Sequence, residues 1–200
     1  DIIQQRDYPK DIAGDELSLK IASYPATAQY LGSALRGKGN SVCELCCGVG
    51  ISLIEFSKVF STVIGVDNNA EIIKDCQRNL ETFGTKNYEL LIGDVSSSEL
   101  LSQIKADIVL YDIPYWSNHG GAIDAKQRNP DLKTMVTKIR ELITPQIAIY
   151  APTHMTYEEI SSQIGDCEYI EVHLRGKHDR NFILLGPLAR KIGKTRIDLK

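Results

Sequence analysis

The sequence predicts an α/β protein: a doubly wound, mostly parallel sheet of seven strands that ends in a C-terminal antiparallel hairpin. Two observations carry this expectation. From residue 41 onward, short apolar runs alternate with stretches of helical periodicity, the signature of repeated strand–helix units. The last two apolar runs are separated only by Gly176-Lys177-His178-Asp179, too short for a crossover helix, so they should pair antiparallel.

Taken in order, residues 1–16 are polar, with Pro9 and Gly14, and read as an extended arm. Residues 17–35 place Leu17, Ile21, Tyr24, Ala28, Leu31 and Leu35 near helical spacing, but Pro25 predicts two short helices meeting at Tyr24-Pro25. The expected strands are 41–47, 62–66, 88–92, 106–111, 146–151, 167–174 and 180–187. The expected helices are 50–59, 69–83, 97–104, 130–143 and 156–164. Within 70–83, Ile72, Ile73, Cys76, Leu80 and Phe83 form one apolar stripe with charges opposite. This divides the chain into an N-terminal arm with helices (1–40), a main domain (41–187) and a basic tail (188–200).

At 200 residues the chain suits one domain able to bury roughly 70% of the surface its unfolded form exposes. A net charge of −3 argues against a surface built wholly for nucleic acid, though not against a local basic patch. Such a patch is available late in the chain, where Arg175, Lys177, Arg180, Arg190, Lys191, Lys194, Arg196 and Lys200 outnumber Asp179 and Asp198. It reads equally as a phosphate-contacting face or a solvated tail. The five cysteines, odd in number and unevenly spaced, are not a disulfide framework and point to a reducing cytoplasm. Cys43-x-x-Cys46-Cys47 has no second pair to complete a metal site, and His119, His154, His173 and His178 lack ligand spacing, so no metal is expected. No run of 18 apolar residues exists, so no membrane segment is expected.

The stretch from Val42 through Cys43, Glu44, Leu45, Cys46, Cys47, Gly48 and Val49 to Gly50 reads as a buried strand, a tight glycine turn and a helix start. Gly48 and Gly50 let the backbone approach a ligand where a Cβ would clash. Asp67 ends the next strand about 20 residues on, placed to take ribose hydroxyls, and Asn68 follows it. Asp94, with Val95 beside it, ends the third strand in the same way.

A second motif, Asp112-Ile113-Pro114-Tyr115-Trp116, follows the fourth strand, at the end where ligands bind in parallel sheets. A carboxylate followed by a backbone carbonyl, a proline and aromatic rings can hold a conjugated amine. Two acceptors localise a lone pair that is otherwise delocalised, and a ring stacks on the base for roughly 1–3 kcal/mol. His119, with Gly120 and Gly121 in the loop beyond, could reach a substrate, though an exposed loop histidine is the commoner case.

The first motif, Glu44-x-Cys46-x-Gly48-x-Gly50, resembles that of class I S-adenosylmethionine (SAM) methyltransferases, with Cys46 where a glycine usually stands. The resemblance covers roughly 41–187 and implies SAM as cofactor, held by Glu44, Cys46, Cys47, Gly48, Gly50, Asp67, Asn68, Asp94, Val95 and Asp112. The second motif resembles the (Asp/Asn/Ser)-Pro-Pro-(Tyr/Phe/Trp) loop of enzymes that methylate exocyclic base amines, with Ile113 replacing the first proline. It implies Asp112 and the Ile113 carbonyl as acceptors, Pro114 as stiffener, and Tyr115 or Trp116 as stacking face. Cys47-Gly48-Val49-Gly50 and Ser23-Tyr24-Pro25-Ala26-Thr27 are similar to segments of the trimethylguanosine synthase family, implying guanine N2 in RNA as the target. Two alternatives stand beside this expectation: a protein-amide or small-molecule methyltransferase, and a SAM-binding scaffold that needs a partner subunit.

Overall fold

The computed structural model describes residues 2–114 and 131–200. They form two compact units, Asp1–Ser97 and Ser98–Lys200.

The first unit opens with α1 (Ile2–Gln5), α2 (Glu16–Ile21) and α3 (Pro25–Leu35). The break between α2 and α3 falls where Pro25 placed it, and Pro25 occupies the first turn of α3, where its missing N–H costs nothing. Residues 1–16, expected as an extended arm, hold α1 and are anchored. Tyr8 is buried and its hydroxyl donates to the carbonyl of Leu19 at 2.9 Å, while Ile12 is also buried. The guanidinium of Arg6 lies 3.9 Å from the ring centre of Tyr24.

There follow β1 (Ser41–Leu45), α4 (Ile51–Phe56), β2 (Thr62–Asp67), α5 (Ala70–Thr82) and β3 (Tyr88–Ile92). The three strands pair parallel in the order β3-β2-β1. Helix α4 is shorter than expected and stops at Phe56. Its Leu53 and Phe56 are fully buried, each contributing roughly 1.5–3 kcal/mol of apolar transfer. The stripe on α5 buries Ile73, Cys76 and Leu80, and with them Asn79.

The second unit contains α6 (Ser98–Gln103), β4 (Ile108–Asp112), α7 (Leu132–Leu142), β5 (Ile147–Ala151), α8 (Tyr157–Ile164), β6 (Glu168–Leu174), β7 (Lys177–Leu185) and β8 (Gly193–Leu199). Helix α7 is capped by Asp131, whose side chain accepts from the N–H of Thr134, and α8 by a capping box between Thr156 and Glu159. The strand order is β4-β5-β7-β6-β8; β4–β5 and β6–β8 are parallel, and β7 is antiparallel to both β5 and β6.

The β6–β7 hairpin is therefore present, but β7 begins at Lys177 rather than 180. A two-residue turn suffices because Arg175 (φ 52°) and Gly176 (φ 77°) both take positive φ, the primed-turn geometry whose twist matches the strands. The strand count is eight among the described residues, not seven. The additional strand, β8, lies in residues 188–200, expected as a basic tail. Its charged residues Lys194, Arg196 and Asp198 alternate with half-buried Thr195, Ile197 and Leu199, a period-two pattern that the charges obscure. No helix among the described residues is long and apolar enough to cross a membrane.

Candidate functional site

In the first unit, β1 buries Val42 to Leu45 and then stops in a turn of unusual backbone. Cys46 has φ 66°, the left-handed conformation that a glycine adopts freely and a cysteine adopts at a cost of about 1–2 kcal/mol. The backbone therefore turns as it would with glycine. Gly48 (φ 53°) and Gly50 (φ 85°) complete the loop, and Gly50 caps α4. A Cβ on Gly50 would stand 2.6 Å from the Cys76 sulfur, whereas one on Gly48 would meet nothing within 4 Å. Gly50 thus serves close packing against α5, and Gly48 leaves open space in front of the turn.

Three groups brace this loop. The N–H of Cys47 donates to the carbonyl of Val66 at 3.0 Å, and that of Gly50 to Cys47 at 3.1 Å. The N–H of Gly48 donates to Oδ2 of Asp67 at 3.1 Å. From α5, the fully buried Asn79 donates through Nδ2 to the carbonyls of Val49 and Ala13, both at 2.9 Å, and accepts through Oδ1 from the N–H of Ala13 at 2.6 Å. Asn79 had no place among the expected site residues. Its signal was a polar side chain on the Cys76–Leu80 stripe, where an amide is tolerated only if fully hydrogen-bonded.

The expected acids differ in their surroundings. Glu44 is 2% exposed, so it offers little surface to a ligand. Asp67 is half-buried; its Oδ1 accepts from the N–H of Asn69 at 3.1 Å. Burial raises its carboxyl above the ordinary aspartate value, against the pull of backbone N–H groups from Asn69, Gly48 and Asn68. Asn69 rather than Asn68 caps α5, while Asn68 is exposed. Asp94 is exposed, and its Oδ1 accepts from the N–H of Ser96 at 2.8 Å, with Val95 half-buried beside it. The ends of β2 and β3 are joined by the N–H of Gly93 donating to the carbonyl of Asp67 at 3.0 Å. An open glycine cradle beside strand-end carboxylates fits the hydroxyl and amine donors of a nucleoside cofactor.

The cysteines are all free. A hydrogen bond to Cys76, then burial, pushes the Cys47 thiol well up, and burial does the same for Cys43. Such thiols are packing groups rather than nucleophiles. Among the described residues no cluster of three or more His, Cys, Asp or Glu could hold a metal. An open groove of about 540 Å³, bordered by Lys10, Asp11, Asp75 and Arg78, includes none of the expected cofactor residues.

In the second unit, Asp112 ends β4 with its side chain 21% exposed. Ile113 is buried and its N–H donates to Tyr150 at 3.0 Å, continuing the ladder one residue past the strand; Pro114 is exposed. Tyr115, Trp116 and His119 lie outside the described residues. Arg180, expected on a basic face, is instead 5% exposed, with Nη1 3.7 Å from Oδ2 of Asp112. Strand alternation held the clue, since Arg180 shares its face with Phe182 and Leu184. Two further members of the expected basic patch, both on β8, are paired locally: Lys194 with Glu171 at 2.6 Å, and Arg196 with Asp198 at 2.6 Å.

A family model described as a methyltransferase domain matches residues 36–177. Solved structures show the same fold. A candidate methyltransferase from Porphyromonas gingivalis W83 is 18% identical with TM-score 0.76, over 95% of this chain and 47% of its own. A SAM-dependent methyltransferase from Agrobacterium tumefaciens is 15% identical with TM-score 0.54, over 70% and 47%. A candidate RNA methyltransferase, PH1948 from Pyrococcus horikoshii, is 17% identical with TM-score 0.57, over 92% of each chain. The match therefore spans about half the length of the first two proteins.

Proposed function

We propose that this chain, which belongs to the methyltransferase-domain family and takes its methyl group from S-adenosylmethionine, methylates an exocyclic base amine, guanine N2 in RNA. The observation that carries the reading is Asp112, a partly open carboxylate at the C-terminal end of a parallel strand, followed by Ile113 and Pro114. The description of the Pyrococcus horikoshii protein as a candidate RNA methyltransferase agrees with it.

Bound S-adenosylmethionine supplies an electrophilic methyl on sulfonium, itself a good leaving group, so strong base catalysis is not required. Asp67 and Asp94 would accept from the cofactor's ribose and adenine donors, and Gly48 would leave it room. Asp112 and the Ile113 carbonyl accept the amine hydrogens, which concentrates the nitrogen lone pair for attack. Asp112 would pass the amine proton to solvent as the N–C bond replaces the methyl–sulfur bond, whose electron pair stays on sulfur. Tyr115 or Trp116 supplies the stacking face. RNA is then the macromolecular partner, and five free cysteines agree with a reducing cytoplasm.

The test is transfer of labelled methyl from S-adenosylmethionine to separate RNA, DNA and protein pools, each digested to monomers. Label in N2-methylguanosine is the expected result. Label in protein as methylglutamine overturns the base-amine reading and retains the amide-type acceptor.

A further inference from the structure

We propose that Arg180 is a positioning residue for Asp112, holding its carboxylate ionised and aimed at the acceptor amine. This rests on the reading of Asp112 given above. Asp112 ends β4; Arg180 lies near the start of β7, which runs antiparallel to β5. That reversal brings the first residues of β7 to the strand ends where Asp112 sits, one register step past the Ala151–Asn181 pair.

The arginine is built into its place. Its guanidinium lies 4.7 Å from the ring centre of Tyr150, and that ring packs on Phe182 at 4.6 Å. Asp179, half-buried with its side chain 9% exposed, places Oδ2 3.7 Å from Nε of Arg180. A stacked, nearly buried guanidinium has little freedom to leave, and two acids lie 3.7 Å from different nitrogens of it. Of the two, Asp112 has the more open side chain, 21% against 9%. The cation thus favours the carboxylate form of Asp112, which accepts from an N–H but cannot donate. It also holds one oxygen of that carboxylate, Oδ2, at 3.7 Å, which limits how the group can turn.

Three measurements test the inference. Asp112→Asn, assayed on the pool that accepts label, should lose turnover by about 10²-fold. If it does not, the reading of Asp112 fails, whatever Arg180 does. With Asp112 essential, Arg180→Lys should lower kcat about tenfold and leave KM for S-adenosylmethionine within roughly twofold. Arg180→Ala should lose more, and tens of millimolar guanidinium should restore part of it, against potassium chloride at equal ionic strength. Full kcat in a folded Arg180 variant, or loss that guanidinium leaves untouched, overturns the positioning role. The third measurement needs no substrate. In protein carrying ¹³C-aspartate, the Asp112 carboxyl signal, assigned with Asp112→Asn, should titrate at higher pH in Arg180→Lys and Arg180→Ala than in the wild type. An unmoved titration overturns the inference even if no pool accepts label.

Discussion

The backbone N–H of Gly48 donates to Oδ2 of Asp67 across 3.1 Å, so the turn after β1 and the acid ending β2 form one hydrogen-bonded unit. The residue expected to hold the ribose also holds the loop beside it. Asp67→Ala should therefore weaken S-adenosylmethionine binding by more than the loss of its ligand contact. Charged hydrogen bonds contribute about 1.5–3 kcal/mol, so Kd by calorimetry should rise on the order of 10–100-fold. Equal affinity in Asp67→Ala and wild type would remove Asp67 from the cofactor site.

Burial leaves its mark on the pH dependence of stability. The folded-state pKa of Asp67 is raised above its unfolded value. Its stabilising contribution is then present below the unfolded value and lost as pH rises through the folded one. Asp67→Asn, which does not titrate, should lack that loss. Unfolding free energies of the cofactor-free proteins, measured from acid to neutral pH, should shift relatively in favour of the variant as pH climbs. A difference that stays flat would mean that Asp67 titrates alike in both states.

Cys46 occupies a left-handed backbone without being glycine. Cys46→Gly relieves about 1–2 kcal/mol of strain and returns about 0.5–1 kcal/mol through the freer unfolded chain. Denaturant unfolding should show a net gain of about 0.5–1 kcal/mol, with methyl transfer retained. A less stable variant would show that the thiol contributes packing that outweighs the strain.

Asn79 meets two backbone carbonyls and one N–H, all with its own amide. Asn79→Leu keeps the volume and strands those partners, so a loss of about 2–4 kcal/mol is expected, larger than any surface change in α5. Amide hydrogen exchange should rise around Ala13 before it rises in β1 and β2. Uniform exchange across the first unit would mean that the arm and the turn open together.

Much of this was legible because it depends on local order. Pro25 broke the N-terminal helix pair, alternation marked β1 to β7, and glycine spacing marked the turn after β1. That Asp67 and Asp94 stand at and just past the ends of β2 and β3 was legible because a strand end is marked by sequence position alone. Asn79 and Arg180 were harder: their importance depends on Ala13, 66 positions away, and on Asp112, which only folding brings near. Strand β8 was hidden because Lys194, Arg196 and Asp198 dominate its composition, while its period of two is carried by three modest residues. The turn at Arg175-Gly176 was misjudged because a left-handed arginine is unusual enough that the strand start seemed to lie further on.

Strand β8 also bears on how the protein keeps its own company. Among the described residues it stands at the end of the strand order and pairs with β6, the position of an edge strand. Such an edge invites another chain to add a strand and continue the sheet. On β8 every second residue from Lys194 to Asp198 is exposed and charged, so an incoming copy of the same strand would bring ions against ions and would have to strip their water. The charges that disguise the strand in the sequence are thus a guard against self-association, and replacing them with valine or threonine would trade solubility for a sticky border.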